Sequence, residues 1–197
     1  MIGIIDYGAG NLYSVQKALN YLGLANSLVS HPGQVAVCDK LLLPGVGHFG
    51  SAMERMQASA LLPALKDWLW SDRPFLGICL GMQMLFSESE EAPGVKGLDF
   101  FKGHVRPYTC RPRLQIGWNM VQATGASSIW QHATKNYYYY VNGYYALPAD
   151  REIIVGHSDY GGEFAAAVQR GRIWGVQFHP EKSAASGLDL LQRWGTS

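Results

Sequence analysis

The sequence has few cysteines and no excess of charge of either sign. Its three cysteines, an odd number without a C-x-x-C spacing, fit neither a disulfide framework nor a zinc knuckle, which leaves room for a reactive thiol. Sixteen lysines and arginines against fifteen aspartates and glutamates give a net charge of +1. That balance lacks the basic surface that nucleic-acid binding usually needs. We therefore expect no metal site and no nucleic-acid partner.

Long apolar runs and phosphate-binding loops are also missing. No uninterrupted apolar run reaches the length of a membrane span, and the chain does not start with a basic segment before an apolar one. The Gly8-Ala-Gly10 loop lacks the third glycine of a dinucleotide-binding fingerprint, and no Gly-Lys-Ser/Thr follows a strand. We expect a cytoplasmic protein that binds neither a membrane nor a cofactor.

Strand-like and helix-like segments alternate three times in the first half of the chain. Each pair joins a buried, β-rich run to an amphipathic stretch with apolar residues at helical spacing. The three pairs are Ile2–Asp6 with Leu12–Leu22, Lys40–Leu43 with Gly50–Trp70 (interrupted around Pro63), and Pro74–Ile78 with Leu80–Phe86. Repeated strand–helix units predict a parallel sheet covered by helices on both faces.

Short strand-like runs dominate the second half of the chain. They are Phe101–Tyr108, Gly117–Gln122, Tyr137–Leu147, Glu152–His157, Phe164–Arg170 and Ile173–Phe178, and a helix at Ser183–Trp194 follows. A chain of 197 residues with 48% hydrophobic residues and no linker between its halves has the size of one domain. We predict an α/β fold of a single domain, residues 1–197, with a central, mostly parallel sheet and a β-rich second half.

The third predicted strand ends in a candidate nucleophile, Cys79. The segment Gly77-Ile-Cys-Leu-Gly81 has the form of a nucleophile elbow, in which flanking glycines let the chain turn sharply from strand into helix. The helix dipole and the free backbone N–H groups of a helix start favour the thiolate. An isolated cysteine is more often a small buried residue, but the flanking glycines favour the nucleophile.

A thiol nucleophile needs a base, and Phe178-His-Pro-Glu181 offers one. The proline favours an extended His179, which brings Glu181 to the same side of the chain, where its carboxylate can orient the imidazole. A histidine before a proline is also commonly structural. The competing histidines are His31, His48, His104, His132 and His157, the last kept in reserve because Ser158-Asp159 follows it.

Three segments together resemble the class I, triad-type glutamine amidotransferases. They are Pro44-Gly-Val-Gly47, Gly77-Ile-Cys-Leu-Gly-Met-Gln83 and Phe178-His-Pro-Glu181. Within that family, four segments are similar to the glutaminase subunits of imidazole glycerol phosphate synthases, namely Ile5–Asn11, Leu43–Gly50, Gly117–Asn119 and Phe178–Ser183. The resemblance runs from the first strand to the last helix and implies the three-layer fold of that family.

The resemblance also implies roles for individual residues. Cys79 would attack the side-chain amide of glutamine, His179 would transfer protons and Glu181 would orient His179. The amide of Leu80 and the peptide between Gly45 and Val46 would hold the oxyanion. The residues implied to bind glutamine are Gln83, one helical turn after Cys79, together with Asn142, Gly143 and Tyr144. Without the resemblance, Gln83 would be as readily interpreted as an ordinary helix-surface residue.

Free ammonia is mostly protonated in neutral water, so a glutaminase of this kind needs a synthase partner. The resemblance implies a heterodimer with a (β/α)8-barrel cyclase, which activates the glutaminase when it binds its own nucleotide ligand. The docking face would surround the strand ends. Its candidate residues, which are otherwise plain polar surface, are Asn11, Gln115, Trp118, Asn119 and Lys182.

Two segments depart from the family pattern. Leu114-Gln-Ile-Gly-Trp-Asn119 stands where the family usually has Pro-His-x-Gly-Trp-Asn, and Val141-Asn-Gly-Tyr144 where it usually has Val-His-Ser/Thr-Tyr. These departures keep open a variant glutaminase that serves another synthase, such as a sugar-amidating enzyme of surface polysaccharide synthesis. A non-catalytic regulatory relative is a third alternative, against which Cys79, His179 and Glu181 argue.

Six tyrosines surround Asn142-Gly143. By itself this pattern predicts a two-residue hairpin with Tyr137–Val141 and Tyr144–Leu147 as its arms. The resemblance instead places Asn142 and Gly143 at the end of a strand that faces the glutamine pocket. Tyrosine favours strands for packing reasons, so we interpret the tyrosines as scaffold.

Overall fold

The computed structural model describes residues 1–124, 129–130 and 135–197. Its α-helices are α1 (Leu12–Tyr21), α2 (Pro32–Val35), α3 (Phe49–Ala58), α4 (Leu62–Trp70), α5 (Leu80–Gln83) and α6 (Ala184–Thr196). Its strands are β1 (Ile2–Ile5), β2 (Asn26–Val29), β3 (Lys40–Gly45), β4 (Phe75–Cys79), β5 (Phe86–Ser89), β6 (Phe101–Pro107), β7 (Gln115–Ala123), β8 (Lys135–Asn142), β9 (Tyr144–Pro148), β10 (Ile154–Asp159), β11 (Glu163–Arg170) and β12 (Ile173–Val176). Short 3-10 helices cover Arg151–Ile153 and Pro180–Lys182.

Nine of the described strands form one sheet in the order β2-β1-β3-β4-β12-β11-β10-β7-β8. The strands from β2 to β12 in this order run parallel, and the pairings from β12 to β8 are antiparallel. A smaller sheet has the order β5-β6-β9. The predicted α/β class is therefore confirmed, with the parallel region built mainly from the first half of the chain.

Helices cover the large sheet on both faces. Along β1 and β3, alternate residues point to opposite sides, as the two-residue period of a strand requires. Ile4 and Leu42 pack in a core cluster that contains residues of α1 and α6. Ile5 and Leu43 pack in a second cluster with residues of α3, α4 and the small sheet. The three layers expected from the sequence follow from this alternation.

The strand β4 lies in the middle of the parallel region, between β3 and β12. Gly45 of β3 is in register with Cys79, and Val176 of β12 is in register with Ile78. The last strand of the chain is therefore the neighbour of the strand that carries the candidate nucleophile. Ligands of open α/β sheets bind beyond the carboxyl ends of such strands.

The helix after Cys79 is shorter than the sequence predicted. We expected a helix over Leu80–Phe86, but α5 ends at Gln83 and Phe86 begins β5. Phe86 is in register with Phe101 of β6, and the two ring centroids lie 5.6 Å apart. Pairing in the small sheet, a contact distant in sequence, thus overrides the local helical pattern. The strands β2 and β5 were not predicted at all.

The second helical stretch is interrupted as predicted. The helix α3 ends at Ala58 and α4 begins at Leu62, and Ala60 between them has a φ of +58°. Pro63 lies in the first turn of α4. Proline is tolerated there because the first N–H groups of a helix have no partner within the helix.

The hairpin predicted around Asn142-Gly143 is wrong. The strand β8 pairs along its length with β7 in the large sheet, whereas β9 pairs with β6 in the small sheet. The Asn-Gly pair therefore marks the passage from one sheet to the other. Two of the four tyrosines of β8 are scaffold as interpreted: Tyr138 and Tyr140 are buried, and Tyr138 stacks on Phe178 with a centroid separation of 4.0 Å. Tyr137, in contrast, is exposed.

Candidate active site

Cys79 lies at the sharp turn between β4 and α5. Its backbone has a φ of +55° and a ψ of −110°, a conformation that non-glycine residues rarely adopt. The side chain is almost buried and points toward a cavity that it helps to line. This is the geometry of a nucleophile elbow, in which a strained turn holds the reactive atom at the tip of a strand.

The flanking glycines provide space rather than the unusual φ angle. The positive φ falls on Cys79 itself. A Cβ on Gly77 would lie 2.7 Å from the carbonyl oxygen of Gly81, and a Cβ on Gly81 would lie 2.0 Å from that of Leu43. The expectation that the glycines supply the turn conformation is therefore corrected: they let α5 pack directly against β3 and β4.

His179 and Glu181 form a buried pair at the end of β12. Nδ1 of His179 and Oε1 of Glu181 are 2.8 Å apart, and the exposed fractions of the two side chains are 3% and 1%. The backbone N–H of His179 donates to the carbonyl of Tyr139 at 2.9 Å. With Nδ1 on the carboxylate, Nε2 is the ring nitrogen left to face Cys79.

The pKa of His179 reflects opposing effects. Burial lowers it, whereas the hydrogen bond and charge of Cys79, followed by those of Glu181, raise it, and the net result is a pKa of about 10. The imidazole is therefore protonated at neutral pH. The described residues offer no hydrogen-bond donor to Oε2 of Glu181, which is buried.

A cavity of about 350 Å³ lies in front of these residues. Most of the site residues expected from the sequence line it, namely Val46, Cys79, Leu80, Gln83, Asn142, Gly143, Tyr144, His179 and Lys182. Two others stand just behind the wall: Gly45 is paired with Cys79 in the sheet, and Glu181 contacts His179. The volume is sufficient for a small amino acid.

Gln83 is buried and directs one end of its amide into the protein. Its Nε2 donates to the carbonyl of Tyr144 at 3.0 Å and to Oε1 of Gln177 at 3.0 Å. Both amide hydrogens are therefore used, and Gln83 can meet a ligand in the cavity only through Oε1, as an acceptor.

Sequence reasoning missed two polar residues at the site. Oε2 of Glu91 accepts from the backbone N–H of Phe49 at 2.7 Å, and Glu91 lines the cavity. Gln177 donates from Nε2 to Sγ of Cys79 at 3.7 Å. Nothing local in the sequence marks Glu91. The signal for Gln177 was present, because it is a polar residue in the apolar run before His179.

The two departures from the family pattern are direct neighbours. Gln115 of β7 is in register with Asn142 of β8, and both are buried. The hydroxyl of Tyr108 donates to Oε1 of Gln115 at 3.0 Å and accepts from Nδ2 of Asn142 at 2.9 Å. Gln115 was expected on the docking face, but its side chain points inward, because alternate residues of a strand face opposite sides.

The other candidate docking residues have different environments. Trp118 is 53% exposed and makes an edge contact with Tyr139. Oδ1 of Asn11 accepts from the N–H of Ser14 at 3.4 Å and caps α1. Nδ2 of Asn119 donates to the carbonyl of Asp159 at 2.8 Å. Lys182 is exposed at the rim of the cavity.

The remaining described histidines lie elsewhere. His157, the reserve candidate, is 3.3 Å from Glu163 and lines a different cavity, and His104 is 3.0 Å from Glu88. His48 accepts from the N–H of Gly50, and His31 precedes α2. His132 lies outside the described residues.

The described residues contain neither a candidate metal cluster nor a candidate membrane-spanning helix. No cluster of three or more histidine, cysteine, aspartate or glutamate side chains that could hold a metal ion occurs within residues 1–124, 129–130 and 135–197. No helix in the same part of the chain is long and apolar enough to cross a membrane.

Known proteins resemble the chain over its whole length. The imidazole glycerol phosphate synthase subunit HisH of Moorella thermoacetica is 42% identical, over 98% of this chain and 93% of the relative. The chloroplastic imidazole glycerol phosphate synthase hisHF of Arabidopsis thaliana is 39% identical, over 98% of this chain but only 34% of the relative.

The structural comparison and the family comparison agree. The structure of PurLQS from Thermotoga maritima superposes with a TM-score of 0.77 at 15% identity, over 98% of this chain and 95% of that chain, and this likeness shows the fold. The model of the family described as glutamine amidotransferase class-I matches residues 3–193. The chain therefore belongs to the class I glutamine amidotransferase family.

Proposed function

We propose that this chain is the glutaminase subunit of an imidazole glycerol phosphate synthase, acting in histidine biosynthesis. It hydrolyses glutamine and supplies the ammonia to a cyclase. The similarity to synthase subunits at about 40% identity over nearly the full chain carries this proposal. The juxtaposition of Cys79, His179 and Glu181 at one cavity supports the chemistry.

In the proposed reaction, the Cys79 thiolate attacks the side-chain carbonyl carbon of glutamine. The new C–S bond gives a tetrahedral intermediate, which collapses to a γ-glutamyl thioester as His179 protonates the departing ammonia. Neutral His179 then takes a proton from water, which attacks the thioester carbonyl. Cleavage of the C–S bond releases glutamate and restores the thiolate beside a protonated His179.

Glu181 has an electrostatic role in this scheme. Its carboxylate accepts from Nδ1 of His179, fixes the tautomer and stabilises the imidazolium, as the third member of a triad does. Because the pair is almost completely buried, the interaction is weakly screened by solvent.

Two backbone groups are proposed to stabilise the oxyanion. The amide of Leu80 follows the nucleophile at the start of α5, and the Gly45–Val46 peptide lies at the end of β3, beside Cys79. Gly47 has a φ of +96°, and a glycine on each side of Val46 lowers the cost of rotating that peptide. Such a rotation would couple the oxyanion site to events at the cavity rim.

Residues of the cavity wall are proposed to bind the substrate. Oε1 of Gln83 is placed to accept a hydrogen bond, which suits an amide or ammonium group better than a carboxylate. The carboxylate of Glu91 suits the α-ammonium group of glutamine. Asn142, Gly143 and Tyr144 would contribute mainly backbone groups, because the Asn142 side chain is turned to Tyr108 and to the Tyr144 carbonyl.

We propose a (β/α)8-barrel cyclase as the partner, in a heterodimer. The Arabidopsis relative is about three times as long as the part matched by this chain, which fits a synthase whose activities are joined in one polypeptide. An apolar strip beside the cavity is available for docking, with Ile116 62% exposed and Trp118 53% exposed. Val141, in register with Ile116, extends the strip to the cavity wall.

The decisive test measures glutamate release with and without a cyclase and its nucleotide ligand. We expect low release by the free chain, strong stimulation by the liganded cyclase, and loss of release in Cys79→Ala. Cys110→Ser is the matched control and keeps wild-type activity, because Cys110 lies outside the cavity lining. Turnover that survives Cys79→Ala would contradict the nucleophile, and stimulation only by a sugar-modifying synthase would favour a different partner.

We further propose that residues 1–197 act as one glutaminase domain in the cytoplasm. The family match covers residues 3–193, which supports a single functional unit. A nucleophilic thiol with two further free cysteines suits a reducing compartment.

A further inference from the structure

A continuous line of amide groups connects the backbone of β9 to the sulfur of Cys79. The carbonyl of Tyr144 accepts from Nε2 of Gln83 at 3.0 Å. The same nitrogen donates to Oε1 of Gln177 at 3.0 Å, and Nε2 of Gln177 donates to Sγ of Cys79 at 3.7 Å. Gln83 and Gln177 are 5% and 0% exposed, so solvent does not compete for these bonds.

The orientation of both amides is determined by one carbonyl. The Tyr144 oxygen can only accept, so the atom of Gln83 that faces it must be the amide nitrogen. That nitrogen also faces Gln177, which must therefore present its oxygen. Gln177 is left with its NH₂ group toward Cys79. The direction of each bond thus follows from hydrogen-bonding chemistry and does not depend on distinguishing oxygen from nitrogen.

The backbone of Gln177 is anchored as firmly as its side chain. Its N–H donates to the carbonyl of Ala166 in the neighbouring strand at 2.8 Å. It lies directly after β12, the strand paired with β4, and two residues before His179. The same short segment therefore brings both a proton-transfer group and an amide donor to the nucleophile.

We propose that Gln177 is a positioning residue, which donates an N–H to Cys79, stabilises the thiolate and holds the sulfur in place for attack. His179 approaches the same sulfur, so the thiolate lies between a cationic donor and a neutral one. A hydrogen bond to the charged form of an acid lowers its pKa, because the bond is stronger to the anion than to the neutral group. This inference rests on the proposed role of Cys79 as the nucleophile.

Other ionisable groups around the sulfur remain unchanged when Gln177 is replaced. His179 is hydrogen-bonded to Cys79, and Glu181 lies behind His179. Burial raises the pKa of Tyr7 to about 12, so Tyr7 stays neutral through the working range. Among the described residues, charged groups near the site also include Arg55, near Tyr7, and Glu91 and Lys182, on the cavity wall. A difference between wild type and a Gln177 variant therefore reports on Gln177.

The test is the pH dependence of Cys79 alkylation by iodoacetamide, followed by mass spectrometry of the peptide that contains Cys79. Gln177→Met keeps the volume of the side chain and removes the donor. We expect the midpoint of its profile to rise by about one pH unit, as for loss of one hydrogen bond to a charged group. Gln177→Glu, which puts a carboxylate against the thiolate, should raise it further.

Gln169→Met is the matched control, because Gln169 donates to the carbonyl of Gly171 and lies outside the cavity lining. Its profile should equal that of the wild type. An unchanged midpoint in folded Gln177→Met would overturn the inference and leave Gln177 as a core residue. Alkylation needs neither glutamine nor a cyclase, so this result is separable from failure of the proposed function.

A measurement on the unsubstituted side chain covers the case in which Gln177→Met does not fold. In nuclear magnetic resonance spectra of the otherwise native protein, the NH₂ protons of Gln177 should shift with pH at the same midpoint as Cys79 alkylation. The shift should vanish in Cys79→Ala. NH₂ resonances that do not respond to pH in the wild type would contradict the hydrogen bond to the thiolate.

Discussion

Cys79 combines a costly backbone conformation, with a positive φ, and a position next to two hydrogen-bonding side chains. A non-glycine residue in such a conformation costs about 1–3 kcal/mol, and it persists only where the surrounding structure determines it. Here the pairing of β4 with β3 and β12 does so, and Gly77 and Gly81 make room for the turn. The strain and the pair of donors together aim the sulfur into the cavity.

The protonation of His179 is a testable consequence of this arrangement. Burial lowers its pKa, but Cys79 and Glu181 raise it to about 10, so the imidazole of the wild type should be cationic throughout neutral pH. We expect Cys79→Ala and Glu181→Gln each to lower this pKa, because each removes a group that favours the charged form. Titration of the imidazole by nuclear magnetic resonance measures it.

The matched control for this titration is Glu163→Gln. In the wild type, the carboxylate of Glu163 lies 3.3 Å from His157 and not at His179. This variant should leave the pKa of His179 unchanged. A His179 pKa that does not move in either Cys79→Ala or Glu181→Gln would show that neither partner stabilises the imidazolium.

Secondary-structure elements meet at the site with very little space between them. The helix α5 starts against β3, and the Cβ-free surface of Gly81 allows this approach. Strand β8 contributes Val141 and Asn142 to the cavity wall, and Asn142 shares one hydrogen-bonded network with Tyr108 and Gln115. Both contacts join segments that are distant in sequence.

Gly81→Ala tests the packing of α5 against β3. The new Cβ would lie 2.0 Å from the Leu43 carbonyl oxygen, which belongs to the backbone and cannot move alone. We expect a loss of unfolding free energy of about 1–3 kcal/mol or more, as for overpacking elsewhere, together with loss of glutaminase activity. Urea unfolding measures the first effect and glutamate release the second.

Gly33→Ala is the comparison for this substitution. Its nearest contacts would be side-chain atoms of His31 at 3.5 and 3.6 Å, which is ordinary van der Waals distance. Stability should therefore change little. Equal stability losses in the two variants would contradict the importance of the close approach at Gly81.

A double-mutant cycle tests whether Gln115 and Asn142 act as a unit. Gln115→Met or Asn142→Leu alone should each cost about 1–3 kcal/mol, because each leaves the buried Tyr108 hydroxyl without one partner. The double variant should lose less than the sum, with a coupling of at least about 0.5 kcal/mol. Urea unfolding of the four proteins provides the free energies, and additive losses would show that Tyr108 does not couple them.

In the folded molecule, an exposed apolar strip formed by β7 and β8 lies beside the cavity. Antiparallel pairing sets Ile116 opposite Val141 and Trp118 opposite Tyr139, so the strip continues across both strands. The alternate residues Gln115, Tyr140 and Asn142 are buried. Because Val141 of the strip also lines the cavity, a partner that covered the strip would lie next to the cavity wall.

Trp118→Ala tests this docking surface. Exposed tryptophans at interfaces are frequent hot spots, so we expect the affinity for the cyclase to fall by tenfold or more, which corresponds to about 1.4 kcal/mol or more. Tyr21→Ala is the control, because Tyr21 is 78% exposed at the end of α1 remote from Asn11. Titration calorimetry with the cyclase gives both affinities; equal affinities would place the interface elsewhere.

Local patterns in the chain were enough to find the strand–helix units and the three residues proposed as a triad. The Gly-x-Cys-x-Gly and His-Pro-Glu motifs carry their own geometry, because glycine permits close packing and proline restricts its neighbour. The early end of α5 was not predictable in this way, because it depends on the pairing of Phe86 with β6, a strand distant in sequence. Nor was the separation of β8 from β9, because an Asn-Gly pair has the same local preferences whichever sheets follow.

The chain of hydrogen bonds from Tyr144 through Gln83 and Gln177 to Cys79 could not be predicted from local sequence patterns. No single segment shows that these residues form a line, because the four come from β9, α5, the position directly after β12, and β4. Motifs determined which residue is the candidate nucleophile, because a turn and its flanking glycines are contiguous. Folding decided what surrounds the sulfur, because hydrogen bonds between distant segments depend on strand order and register, which no short stretch of sequence encodes.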